Sequence, residues 1–207
     1  MYLSKLVLNE SDRAVQRDLS DAHKLHQRIM QAFPDDLESD RPRQDLHILF
    51  RQEPDSNVVL VQSAIAPNWS ILPSGYLQEH HQKEWQLDID QCSSGRILQF
   101  RLRANPSKRD NQTRKTIGLF HEADQVAWLQ RQAERCGFRL HGIDVIPSPN
   151  VFGIKKGGKA PIRITTALYQ GVLEVVEPEL FLNAVRQGIG RGKSYGCGLL
   201  SISRITI

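Results

Sequence analysis

Two histidines three positions apart, His23 and His26, occupy the segment Ala22-His-Lys-Leu-His-Gln-Arg-Ile-Met30. On a helix that spacing turns both rings to one side, next to the apolar stripe of Ala22, Leu25 and Ile29. Such a pair can hold a metal, move protons near neutral pH, or stand as two solvated side chains. Metal binding is the poorest fit, because there is no HExxH pattern and His47, His80, His81, His121 and His141 stand in no matching motif, so no metal and no cofactor is expected. A second candidate is the stretch from Gly188 to Gly198, where Gly188, Gly190, Gly192, Gly196 and Gly198 surround Arg191 and Lys193. Glycines beside cations suit close backbone approach to phosphates, and they also suit a tight turn with no ligand. The Gly192-Lys193-Ser194 triplet is not a nucleotide P-loop, since the position five before Gly192 is Gln187 and the order is helix then strand. A third candidate is basic: Arg101 and Arg103 alternate with Phe100 and Leu102, Lys108 follows, and Lys155, Lys156 and Lys159 cluster in a glycine-containing tip. These cations suit an anionic partner, although runs of charge are often only solvated surface.

The elements that must position these residues follow from periodicity. Tyr2 to Leu8 is β-compatible, Asn9 to Asp12 supply turn and N-cap chemistry, and a helix carrying Ala22, Leu25, Ile29 and Ala32 ends at Pro34. Leu46 to Arg51 and Val58 to Ile65 predict a hairpin across Pro54-Asp-Ser-Asn57. A weak helical segment, Ile71 to Gln78, then precedes a strand with Trp85, Leu87 and Ile89 on one face. Gln91 to Gly95 reads as a linker, which divides the chain into domains 1–93 and 94–207. In the second half Ile97 to Ala104 predicts a strand, His121 to Cys136 a helix with Gly137 as its stop, and Phe138 to Ile146 with Pro161 to Val176 a long hairpin. Pro178 opens a helix through Gln187, and Leu199 to Ile207 forms the last strand. Both halves read β-α-β-β-α-β, an α+β architecture of two tandem ferredoxin-like, RRM-like domains with antiparallel sheets. That order predicts His26 on the first helix with the glycine loop near it, where the halves meet.

Composition narrows the class. At 207 residues, with 40% hydrophobic and 24% charged content, the chain is neither disordered nor fibrous. A formal charge of +4 is a mild bias toward anionic partners. Cys92, Cys136 and Cys197 are too scattered for a disulfide scaffold or zinc ribbon, and no apolar run suits a signal peptide or membrane span, so a cytoplasmic protein with no membrane partner is expected.

Five segments carry a resemblance: Met1-Tyr-Leu-Ser-Lys5, Leu25-His-Gln27 followed by Phe33-Pro34, Phe100-Arg-Leu-Arg-Ala-Asn-Pro106 with Lys108, Glu122-Ala-Asp-Gln-Val-Ala-Trp-Leu-Gln-Arg131, and Gln187 through Leu200. Together, in this order and over nearly the whole chain, they resemble the CasE family, the CRISPR repeat-processing endoribonucleases of the type I-E Cascade complex. The resemblance implies tandem ferredoxin-like domains, cleavage of precursor CRISPR RNA at the base of a repeat hairpin, retention of the product, and other Cascade subunits as partners. It also implies that His26 is catalytic; where some family members have a tyrosine one helical turn earlier, this chain has His23.

The residue types suit that chemistry. In RNA the 2′-hydroxyl can attack the adjacent phosphate, leaving a 2′,3′-cyclic phosphate and a 5′-hydroxyl, so the protein needs to move protons rather than supply a nucleophile or a metal. A histidine with the usual pKa near 6.5 can serve as acid or base. Two rivals stay open at this level: an RNA-binding protein of the same fold without catalysis, and a metal-dependent hydrolase using both histidines.

Overall fold

The computed structural model describes residues 1–34, 41–87, 92–154 and 161–205. The chain forms two compact units, one of Met1–Gln86, Val151–Arg163 and Lys193–Gly196, the other of Leu87–Asn150, Ile164–Gly192 and Cys197–Ile207.

In the first unit β1 (Tyr2–Leu8) is followed by helices α1 (Arg13–Leu19), α2 (Ala22–Met30) and α3 (Pro42–Asp45), then β2 (Leu49–Gln52), β3 (Val58–Ser63) and β4 (Leu77–Glu84). The sheet order is β2-β3-β1-β4, antiparallel throughout. Period-two alternation in β1 turns Leu6 and Leu8 inward, where they meet Leu25 and Ile29 of α2, Phe50 of β2 and Val59 and Val61 of β3 in one apolar cluster. Trp69, in a 3₁₀ turn at Trp69–Ile71, joins that core and donates its indole N–H to the Ser4 hydroxyl at 3.0 Å.

The second unit begins with β5 (Ile97–Ala104), a short ribbon of β6 (Ser107–Arg109) and β7 (Thr116–Gly118), α4 (Glu122–Arg135) and β8 (Phe138–Pro147). Strands β9 (Val151–Gly153) and β10 (Ile162–Ile164) pair with each other as a separate ribbon. The chain returns through β11 (Ala167–Val175), α5 (Pro178–Gln187) and β12 (Leu200–Arg204), and the sheet order is β12-β5-β11-β8, again antiparallel. Phe138 and Phe181 pack edge to face at 5.8 Å, and the Tyr169 hydroxyl donates to the Gln125 carbonyl at 3.1 Å. In each unit the strand that opens the unit lies between the third and the last, the arrangement of a ferredoxin-like fold.

Several elements differ from the periodicity reading, each for a physical reason. The expected single first helix is two, because Asp21 accepts the His23 amide N–H and starts a new helix. Leu46 and Ile48 are buried as expected, but they lie in a turn after α3 in which His47 has φ 49°, so β2 starts only at Leu49. The strand placed around Trp85 to Ile89 is displaced: β4 ends at Glu84, and Asp88–Gln91 lie outside the described residues. Among the described residues β4 pairs only with β1, and Gln78–Glu84 are exposed on both faces, so no alternation marks it. The long hairpin is split between β8–β11 and β9–β10, with Thr165 and Thr166 interrupting the return strand.

Candidate active site

α2 is anchored at both ends. At its N-terminus Asp21 Oδ1 accepts the amide N–H of His23 at 3.0 Å and that of Ile154, just past β9, at 3.2 Å. A Cβ on Gly153 would stand 3.0 Å from that oxygen, so the ribbon approaches the helix as closely as glycine allows. Farther along, Arg28 donates Nε to the buried Asp18 of α1 at 2.8 Å, with its guanidinium 5.0 Å from the Tyr76 ring centroid. Tyr76 donates its hydroxyl to the same carboxylate at 3.2 Å, and burial beside Asp18 pushes its pKa well above the usual phenol range. Leu25 and Ile29 hold the opposite face in the core.

His26 therefore occupies a fixed position. Its ring stacks on Phe50 of β2, with centroids 6.4 Å apart and planes 13° from parallel. Phe50 is itself wedged: a Cβ on Gly196, where φ is 79°, would lie 3.2 Å from its ring. The turn Lys193–Tyr195 packs against both α2 and β2, so this part of the glycine-rich segment lies beside the histidine helix. The Nδ1 atoms of His23 and His26 are buried and lack a hydrogen-bond partner among the described residues. Burial first, then the charges of Arg43 and His23, lower the His26 pKa to about 4. The sequence reading took the ordinary value near 6.5 and left acid and base equally open. In the folded chain His26 is neutral at pH 7, a proton acceptor, because burial disfavours the charged form.

The basic residues separate by environment. Arg101 donates to Gln170 Oε1 across the β5–β11 pair at 2.9 Å, and Arg103 is buried with Nη2 on the Pro149 carbonyl at 2.8 Å. These two carry structural contacts rather than forming an open face. Lys108 is exposed on β6, Arg191 is exposed and donates to Thr116 Oγ1 of β7 at 2.6 Å, and Lys193 is half-buried in the turn on α2. Lys155, Lys156 and Lys159 lie outside the described residues. Gly188 caps α5, and Gly190, at φ 78°, leaves room for the Trp128 ring, to which a Cβ would approach within 3.0 Å. Gly192 and Gly198 sit in the second unit, Gly196 in the first.

Sequence reasoning missed two features. The β6–β7 ribbon presents exposed Arg109, Arg114 and Lys115 beside Lys108, around a turn in which Asp110 accepts from both the amide and the hydroxyl of Thr113 at 2.7 Å. The Asp110-Asn-Gln-Thr113 turn was its legible signal. Arg43 and Phe50, the neighbours that define the surroundings of His26, carried no local signal, because only the fold brings them to α2.

Comparison with known proteins agrees with this architecture. A family model described as CRISPR associated protein matches residues 1–204. The CRISPR-associated endoribonuclease Cse3 of Thermus thermophilus is 38% identical over 98% of this chain and 100% of its own length. The CRISPR system Cascade subunit CasE of Escherichia coli is 37% identical over 98% of this chain and 99% of its own. A structure of the CRISPR endoribonuclease Cse3 bound to 19 nt RNA superimposes with a TM-score of 0.85 at 36% identity, covering 98% of this chain and 100% of that one. The chain belongs to the CRISPR-associated protein family, in its CasE, type I-E branch.

Proposed function

We propose that this chain is a CRISPR-associated endoribonuclease that binds the hairpin of a CRISPR repeat RNA, cuts it, and works as a subunit of Cascade with the other subunits as partners. The catalytic centre is His26 in the first unit, and cleavage proceeds without a metal or cofactor. The observation that carries the site assignment is the setting of His26: a ring clamped on Phe50 and kept neutral at pH 7. Neutral imidazole accepts the proton of the RNA 2′-hydroxyl, the 2′-oxygen bonds to the adjacent phosphorus, and the bond to the 5′-oxygen breaks. The products are a 2′,3′-cyclic phosphate and a 5′-hydroxyl. His23, one turn earlier, is the nearest candidate on α2 to assist the departing 5′-oxygen. Lys108, Arg109, Arg114, Lys115 and Arg191 form the stem-binding surface of the second unit; Lys193 in the first unit and, by charge alone, Lys155, Lys156 and Lys159 are further candidates for phosphate contact. In domain terms, 1–93 carries the catalytic helix and 94–207 the basic ribbon and glycine-rich loop. Among the described residues no helix is long and apolar enough to cross a membrane, and a cytoplasmic location completes the reading.

Single-turnover cleavage of a repeat hairpin tests the chemistry. Excess chelator should leave the rate unchanged, and one 2′-deoxy substitution before the scissile phosphate should abolish cutting while the hairpin still binds. Loss of activity in chelator, or normal cutting of the 2′-deoxy substrate, would overturn attack by the 2′-hydroxyl without metal.

A further inference from the structure

Beside His26 stands a cation that the proton-transfer chemistry does not use. Arg43, in α3, is half-buried and donates Nη1 to the carbonyl of Ile48 at 3.1 Å. Ile48 lies two residues before Phe50, the ring on which His26 stacks, so the guanidinium sits at the head of the strand that holds the histidine. Among the described residues it makes no ion pair. Its pKa is lowered by burial, with no carboxylate offsetting that cost. Charged groups withdrawn from water are ordinarily paired, and a guanidinium has five N–H donors in a planar fork matched to phosphate. One donor is taken by the Ile48 carbonyl. The other groups near His26 are accounted for differently. Asp18 of α1 is bound to Arg17, Arg28 and Tyr76, and Asp21 caps α2. β9 contributes no titratable side chain, and the turn Lys193–Tyr195 contributes Lys193 and Tyr195.

We propose that Arg43 is a second catalytic residue: its guanidinium, held at the Ile48 carbonyl beside the His26–Phe50 stack, receives a non-bridging oxygen of the scissile phosphate as the 2′-oxygen attacks. This rests on the reading of His26 as the cleavage centre. As the 2′-oxygen bonds to phosphorus, negative charge accumulates on the non-bridging oxygens, and a pre-positioned donor in a partly dry site stabilises that charge without reorganising. The same cation, while the site is empty, disfavours protonation of His26, so the base is ready in its neutral form.

The test uses the full chain, single-turnover conditions, and hairpins carrying a single phosphorothioate at the scissile position in each of its two diastereomers. Arg43→Gln should slow cleavage of the all-oxygen hairpin about 10²- to 10³-fold, the usual effect of losing one transition-state donor, with binding of the 2′-deoxy hairpin within about threefold of wild type. Wild type should cut one diastereomer much more slowly than the other, and Arg43→Gln should lose that preference. A purely structural Arg43 would lower rates on both diastereomers alike. If Arg43→Gln melts below the assay temperature, Arg43→Lys carries the same test, with the preference reduced and the rate partly restored. An unchanged diastereomer ratio in the variant, no preference in wild type, or a wild-type rate overturns the proposal. His26→Ala separates the two ideas. If it is inactive while Arg43→Gln behaves as wild type, only the role of Arg43 falls; if it cuts normally, the centre itself is misassigned and this proposal falls with it.

Discussion

The two units share a strand order and differ in what accompanies the sheet. In the second, α4 runs 14 residues and α5 runs 10, each one unbroken amphipathic helix. In the first, the connection from β1 to β2 is broken into α1, α2 and α3, and the one from β3 to β4 keeps only a 3₁₀ turn. Buried charge follows the same division: among the described residues Asp18, Asp21 and Arg51 are buried in the first unit, and Arg103 is the one buried charged residue of the second. Breaking a helix sacrifices backbone hydrogen bonds, and burying charge demands partners. The first unit accepts both, and the return is a histidine whose position and protonation are set by its neighbours. The second unit keeps its helices regular and presents the exposed cations Lys108, Arg109, Arg114 and Lys115 on the β6–β7 ribbon.

The largest expected effect attacks the irregular unit directly. His26→Ala should lose about 10²- to 10⁴-fold in single-turnover cleavage with hairpin affinity little changed, whereas His141→Ala, an exposed residue bonded to Glu174 in the second unit, should cut at the wild-type rate. His23→Ala should cost about 10²-fold at pH 7, as the departing 5′-oxygen loses its assistance; a loss below about tenfold would remove His23 from the chemistry.

Next comes the buried charge. Asp18→Ala leaves Arg28 and Tyr76 without their shared acceptor and should destabilise the fold by about 3 to 5 kcal/mol in denaturant unfolding, with cleavage falling as α2 loosens. A loss below about 1 kcal/mol would mean that the network is not what holds the helix.

The lowered His26 pKa gives a comparable or smaller effect with a definite sign. Between about pH 6.5 and 4 the unfolded chain takes up a proton at this site that the folded chain refuses, so stability is present at neutral pH and declines as the solution is acidified. Relative to His26→Gln, wild type should lose on the order of 3 kcal/mol across that window. Parallel stability curves for the two proteins would contradict a buried neutral imidazole.

The smallest effect lies in the regular unit. A Cβ on Gly171 of β11 would collide with the Gly142 carbonyl oxygen on β8, so Gly171→Ala should cost about 1 to 3 kcal/mol in thermal or denaturant unfolding. Intrinsic cleavage by the folded fraction should be nearly unchanged. A loss of rate per folded molecule as large as that of His26→Ala would erase the contrast between the units.

Much of this was legible before any fold was known. β1 and β5 match their expected spans residue for residue, β1 as a short β-compatible stretch closed by turn residues and β5 because it alternates apolar and polar side chains. α4 ends at its glycine and α5 begins at its proline, where local backbone chemistry governs. The histidine pair stood out for its spacing. Tertiary structure alone decided the rest. β4 carries no hydrophobic pattern, since it earns its place through backbone pairing with β1. Arg101 and Arg103 look in sequence like an open basic face, yet they are engaged by Gln170 and Pro149, residues far along the chain. The depressed pKa of His26 comes first from its burial in the folded unit and then from the charge of Arg43 in α3, with a contribution from His23 on its own helix. Periodicity and caps are written in neighbouring residues, whereas desolvation and charge act through space and exist only once distant segments meet.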